Sequence, residues 1–239
     1  MLIKEIKVLY EDNHLLVVEK PPNMPVQRDI SEDGDLLSYL KTYIKDKYNK
    51  PGNVFIGLVH RLDRPVGGVM VFARTSKAAA RLSEQIRSRT IRKTYIAVAE
   101  GLLDSLYGTL RDYLYKDWKS NTVKVVSNNI KGSQEAILQY SVISHNSGNT
   151  LLKIDLETGR PHQIRVQMSN IGHPLTGDIK YGAKNQKGFT DNIALWSYKL
   201  EFNHPVRDET LTFTSIPPEQ YPWDIFKEDI SRLSCLPPA

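Results

Sequence analysis

The chain has 239 residues, 40% hydrophobic and 25% charged, with a formal charge of +5 and a pI near 9.1, enough to bury a substantial core as one elaborated domain or two small ones. Its one cysteine, Cys235, excludes an intramolecular disulfide and a thiolate zinc cluster. The N-terminal stretch carries acids and lysines where a signal peptide needs an apolar core, and no apolar run approaches the roughly 20 residues of a membrane span, so a soluble cytoplasmic protein with no membrane association is expected.

Residues 6–10 and 15–19 read as short strands joined by the turn Glu11-Asp12-Asn13. The second runs into a proline-stiffened loop, Lys20-Pro21-Pro22-Asn23-Met24-Pro25. A helix is expected over 36–48, and after Pro51-Gly52-Asn53 a strand over 54–59 empties into the polar loop His60-Arg61-Leu62-Asp63-Arg64. The mostly apolar segment 69–73 is the next strand. A helix follows over 77–87, with Thr75 or Ser76 as N-cap and Ala78, Leu82 and Ile86 as its buried stripe. Lys77, Arg81 and Arg87 fall outside that stripe and face solvent or a ligand. With Arg74, Arg89, Arg92 and Lys93 they make seven cations against Glu84, a net of +6 over residues 74–93 that exceeds the charge of the whole chain. Such a stretch attracts a polyanion, and an ordinary solvated face has the same composition.

Residues 91–99 alternate as a strand, with Thr94, Ile96 and Val98 on one face and Lys93, Tyr95 and Ala97 on the other. The segment 108–127, with Trp118, reads as hairpin material of no legible role, and strands over 136–143 and 151–156 follow. Within Glu157-Thr158-Gly159-Arg160-Pro161-His162-Gln163-Ile164-Arg165, Gly159 allows a tight turn, and Pro161 suits the first position of a helix to Asn170 that Gly172 closes. Strands over 193–202 and 209–213 precede a proline-rich tail with Trp223 and Phe226. The expected class is α+β, a mixed, mainly antiparallel sheet with flanking helices.

Three polar clusters could carry chemistry: His60 to Arg64, Arg92 to Tyr95, and Arg160 to Arg165. None has zinc-ligand spacing, a phosphate-cradling glycine loop or a Gly-x-Ser-x-Gly elbow, which leaves acid, base or nucleophile work by a carboxylate among cations. Asp63, between Arg61 and Arg64, suits a nucleophile or base because adjacent guanidinium groups favour its charged form, and it equally suits an ion pair that pins a loop. Arg61 fits a phosphate or base contact as well as a surface position, and Tyr95 fits a half-buried core. His162 and Arg165 lie one helical turn apart and can face one site or bond locally.

Taken together, these segments resemble pseudouridine synthases of the RluA type. His60-Arg61-Leu62-Asp63-Arg64 with Gly68 and Ala73 is similar to that family's signature, Lys20-Pro21-Pro22-Asn23-Met24-Pro25-Val26 to its first motif, and Lys93-Thr94-Tyr95-Ile96-Ala97 to the strand with its active-site tyrosine. Thr158 to Arg165, continuing through Gly172-His173-Pro174, Gly177-Asp178 and Tyr181-Gly182, resembles the final motif, and Phe202-Asn203-His204-Pro205 the closing strand. Pro161 and Gln167 stand where the family commonly has threonine and histidine, and Trp196 where a histidine is frequent.

The resemblance implies the pseudouridine synthase fold with a central RNA-binding cleft, a single catalytic domain over residues 1–239, and no separate N-terminal RNA-binding domain. It implies isomerisation of uridine in structured ribosomal or transfer RNA with no cofactor; no metal and no obligate protein partner are expected, and a monomer is the default. Asp63 would be the catalytic carboxylate, Arg165 its salt-bridge partner, and Tyr95 the residue stacked on the uracil. His60, Arg61, Arg64, Lys77, Arg81, Arg87, Arg89, Arg92, Lys93, Arg160 and His162 would bind RNA, with Arg61 filling the space a flipped base vacates. The alternatives are a non-catalytic RNA-binding or ribosome-assembly protein on the same scaffold, and a nucleosidase that releases free uracil.

Overall fold

The computed structural model describes residues 6–29, 33–184 and 192–235. The chain forms two compact units, Met1–Ile91 with Lys199–Ser215, and Arg92–Tyr198 with Ile216–Ala239. Among the described residues no helix is long and apolar enough to cross a membrane.

In the first unit β1 (Lys7–Glu11) and β2 (Leu15–Lys20) form an antiparallel hairpin. Its turn is made by Asp12, whose carboxylate accepts from the amides of His14 and Leu15 at 2.7 Å each. Helix α1 (Leu36–Lys47) starts where Asp35 accepts from the Ser38 amide, carries Lys45 and Lys47 in its last turn to complement its dipole, and buries Leu36, Leu40 and Ile44. The strand expected over 54–59 shrinks to β3 (Gly57–Leu58). A Cβ at residue 57 would lie 2.9 Å from that of Ala79, so packing against the following helix, not a long ladder, holds this segment.

Strand β4 (Gly67–Ala73) runs antiparallel to β2, from Leu15 opposite Ala73 to Lys20 opposite Gly68. It is buried along its whole length, as its apolar run implies. Helix α2 (Ser76–Arg87) is capped by Thr75, whose hydroxyl accepts from the Ala78 amide. It presses Ala78 and Leu82 onto Leu15, Val17, Val69 and Val71, with Ile86 half-buried beside them.

The second unit is an antiparallel sheet in the order β5 (Arg92–Glu100), β9 (Asn149–Leu156), β8 (Gln134–Asn146), β6 (Tyr107–Asp117), β7 (Thr122–Val126). Strand alternation gives it two different faces. Ile96, Val98 and Leu151 point to one, where they pack with Trp196, Trp223, Phe226 and Ile230. Trp196 is therefore core. The proline-rich tail, to which the sequence pattern assigns no element, contains helix α4 (Lys227–Cys235), placed by the burial of Phe226 and Ile230 in that cluster. Leu114, Val123 and Ala136 point to the other face and meet Val166 of helix α3 (Gln163–Asn170).

Helix α3 begins two residues later than expected, after His162 in the left-handed region at φ 52°. Gln163 explains the shift: its Oε1 accepts from the Thr158 hydroxyl (2.8 Å) and the Arg160 amide (3.0 Å), while its Nε2 donates to the Ile137 carbonyl (3.0 Å). The turn is closed by a side chain, so Pro161 lies inside it and not at the helix start. Strand β10 (Leu195–Asn203) carries the chain from the second unit to the first, where it pairs antiparallel with β11 (Thr210–Thr214).

Candidate active site

Lys20 ends β2 fully buried, its ammonium donating to the carbonyls of Pro21 (2.9 Å) and Arg64 (3.0 Å). The Arg64 carbonyl also accepts from the Asn23 amide at 2.8 Å, and Arg64 Nε donates back to the Asn23 carbonyl at 3.2 Å. The proline-stiffened loop and the His60–Arg64 loop are thereby laced together around Asp63, whose side chain is half-buried and whose carbonyl accepts from the Val66 amide. Burial pushes the Lys20 ammonium down to about 7; the Asp63 carboxylate pulls it up against this and Arg64 pushes it further down. Lys20 and Asp63 are thus electrostatic partners.

Sequence reasoning quoted Lys20 only as part of a motif. Its signal is a lone lysine closing an apolar strand directly before two prolines. The neighbours take other tasks: Arg64 forms ion pairs with Asp33 (2.5 Å) and Asp29 (3.9 Å), and His60 Nε2 accepts from the Val71 amide (3.1 Å), which puts the ring proton on Nδ1. Arg61 is exposed.

In the second unit Tyr95 is 7% exposed and points, with Lys93, to the sheet face that α3 covers. Lys93 Nζ lies against Gly159, 3.5 Å from where a Cβ would stand, and burial lowers its pKa. Arg165 is 5% exposed, and its Nε and Nη2 donate to the two carboxylate oxygens of Asp178 at 2.7 and 2.8 Å. Tyr181 ties this centre together. Its ring lies under the Arg165 guanidinium (5.0 Å), its hydroxyl bonds His162 Nδ1 (2.6 Å), and the Val123 amide of β7 donates to the same hydroxyl (2.9 Å). His162 and Arg165 therefore meet at Tyr181. Asp178 and Tyr181 are visible in the sequence only as part of the final motif, without a role, because their partners lie 13 and 19 residues away in sequence.

The remaining cations are distributed unevenly. Lys77, Arg89 and Arg92 are exposed. Arg81 donates to the Pro205 carbonyl, Arg87 pairs with Glu84, and Arg160 Nε donates to the Glu135 carbonyl (2.9 Å). Gln167, at the family's histidine position, is buried and donates to Asp112 at 2.7 Å.

A family profile described as RNA pseudouridylate synthase matches residues 14–170, from the turn before β2 to the end of α3. The chain belongs to that family. Its members are isomerases of RNA, and relatives of this sequence include ribosomal large subunit pseudouridine synthases C and D, of the RluA type. It is 36% identical over 210 residues to the uncharacterized RNA pseudouridine synthase YhcT of Bacillus subtilis, covering 87% of this chain and 67% of that protein. It is 32% identical to the ribosomal large subunit pseudouridine synthase D of Pseudomonas aeruginosa, over 92% of this chain and 70% of that one. The fold is shared with human RNA Pseudouridylate Synthase Domain Containing 4, at a TM-score of 0.76 and 23% identity over 95% of this chain and 93% of that one.

Proposed function

We propose that this family member converts uridine to pseudouridine in ribosomal or transfer RNA, as one catalytic domain with Asp63 as its catalytic carboxylate. The observation that carries the assignment is the lacing of the Asp63 loop by the buried Lys20 ammonium. A buried lysine in electrostatic contact with a half-buried carboxylate, and bonded to the loop that carries it, orients that carboxylate, which a nucleophile or base requires. Large-subunit ribosomal RNA is the leading substrate, because the relative from Pseudomonas aeruginosa is a ribosomal large subunit pseudouridine synthase.

The reaction breaks the bond from ribose C1′ to uracil N1, turns the base, forms the bond from C1′ to C5, and releases the C5 proton as N1 regains one. Atoms balance without oxidant or reductant. Asp63 acts either by attack on the nucleoside or by taking a ribose proton. Tyr95 stacks on the uracil, Arg165 supplies the countercharge to Asp63, and Arg61 fills the gap left by the flipped base. The exposed cations Lys77, Arg89 and Arg92 hold phosphates without reading sequence.

Asp63→Asn should reduce pseudouridine formation by on the order of 10²–10⁴-fold or more while RNA affinity stays within a few fold. Turnover is read by release of tritium from C5-labelled uridine in ribosomal RNA transcripts. Undiminished turnover would remove Asp63 from its role, and free uracil as product would replace isomerisation by hydrolysis.

A further inference from the structure

The end of the β6–β7 hairpin holds a cluster that the proposed chemistry does not use. Trp118, at its turn, leaves 77% of its surface in solvent, whereas Trp196 and Trp223 are 3% and 5% exposed. The Lys116 ammonium lies 4.1 Å from the Trp118 ring centroid, an interaction that orients the indole. Lys116 pairs in register with Val123, whose side chain packs against α3, so Lys116 and the indole beneath it lie on the α3 face of the hairpin.

Further positive charge lies at this end of the hairpin. Lys119 adjoins Trp118 in the turn and is exposed, and Lys180 reaches the turn, donating to the Asn121 carbonyl at 2.6 Å, whereas Lys124, opposite Tyr115, points to the other face. The carboxylate within the turn, Asp117, is occupied by the Lys119 amide (2.9 Å) and the Ser120 hydroxyl (2.8 Å), so it serves the turn's geometry. The turn is anchored as well as charged. Val123 sits in the cluster with Leu114 and Val166, and its amide bonds the Tyr181 hydroxyl.

An exposed indole oriented by one ammonium, at a turn that carries further lysines, is matched by few ligands. A protein partner's apolar face would leave the lysines desolvated, and an RNA duplex presents phosphates but keeps its bases stacked on one another. Unpaired nucleotides offer both parts, a free base face for the indole and adjacent phosphates for the lysines. We infer that the end of this hairpin is a docking platform for unpaired nucleotides of the RNA substrate, with Trp118 stacking on a base and Lys116, Lys119 and Lys180 neutralising neighbouring phosphates. The inference rests on RNA being the substrate and adds a second contact surface, separate from the reacting carboxylate.

The burial of the other two tryptophans makes the test direct, because Trp118 dominates any indole response to solvent quenchers. The full chain is titrated with fluorescein-labelled oligouridylate, following label anisotropy and, with unlabelled strand, indole emission and acrylamide quenching. Binding should quench the emission and shield it from acrylamide. Trp118→Ala should weaken binding by about 5- to 150-fold, and Trp118→Phe should keep most of the affinity while losing the optical signal. A blunt RNA duplex should leave the indole unshielded. Binding by anisotropy with unchanged emission, full affinity in Trp118→Ala, or equal shielding by duplex would each overturn the platform and leave the Asp63 assignment standing. Absence of oligouridylate binding would likewise overturn the platform, whereas undiminished turnover of Asp63→Asn on ribosomal RNA transcripts is the separate outcome that removes the Asp63 assignment.

Discussion

Lys20 is the side chain on which the proposed reaction centre depends without touching substrate. Its burial sets a pH signature whose sign is fixed by linkage. The folded value of about 7 lies below the 10.5 of an unfolded lysine, so the unfolded chain holds the extra proton between those limits. The resulting penalty is present in full below pH 7 and is relieved as pH rises towards 10.5, so this residue makes stability climb with pH across that window. Lys20→Met should flatten the climb in urea denaturation measured at several points of that range. An equally steep climb in the variant would assign the proton to another group. The residue's position before two prolines was visible in the sequence, whereas its burial and its two carbonyl partners were not, since Arg64 is 44 residues away.

Among the elements, the turn before α3 and the β6–β7 hairpin work as one piece through Tyr181. Removing its hydroxyl leaves the Val123 amide without that acceptor and His162 Nδ1 without that partner. Tyr181→Phe should therefore cost about 1 kcal/mol and raise hydrogen exchange at the Val123 amide by roughly fivefold, detectable by NMR. Unchanged exchange would show that the β6–β7 ladder alone protects it. Local sequence rules located most elements because their signals are local: Thr75 and Asp35 cap helices, and Asp12 makes a turn. They failed where a tertiary contact decided. Gln163 displaced the start of α3, the approach of Gly57 to Ala79 shortened β3, and the core around Trp223 ordered a helix in the proline-rich tail.

At the scale of the molecule, the proposed RNA binding draws on how charge is distributed over the surface. The net +6 over residues 74–93 does not act as one patch, because Arg81 and Arg87, although exposed, are bonded to the Pro205 carbonyl and to Glu84, whereas Lys77 and Arg89 are exposed. Lys77→Ala with Arg89→Ala should lower the slope of log affinity against log salt by roughly 1.5, measured with ribosomal RNA fragments. An unchanged slope would move the phosphate-binding surface elsewhere. The sequence by itself determined the family, the α+β class and the identity of the candidate carboxylate, because ordered motifs, hydrophobic periodicity and caps are written in adjacent residues. Only the tertiary structure decided that Lys20 is buried beside Asp63, that Arg165 is held by Asp178, and that Tyr181 joins His162 to the hairpin. Burial and hydrogen bonding between residues far apart in the chain are created by packing, and no local pattern encodes them.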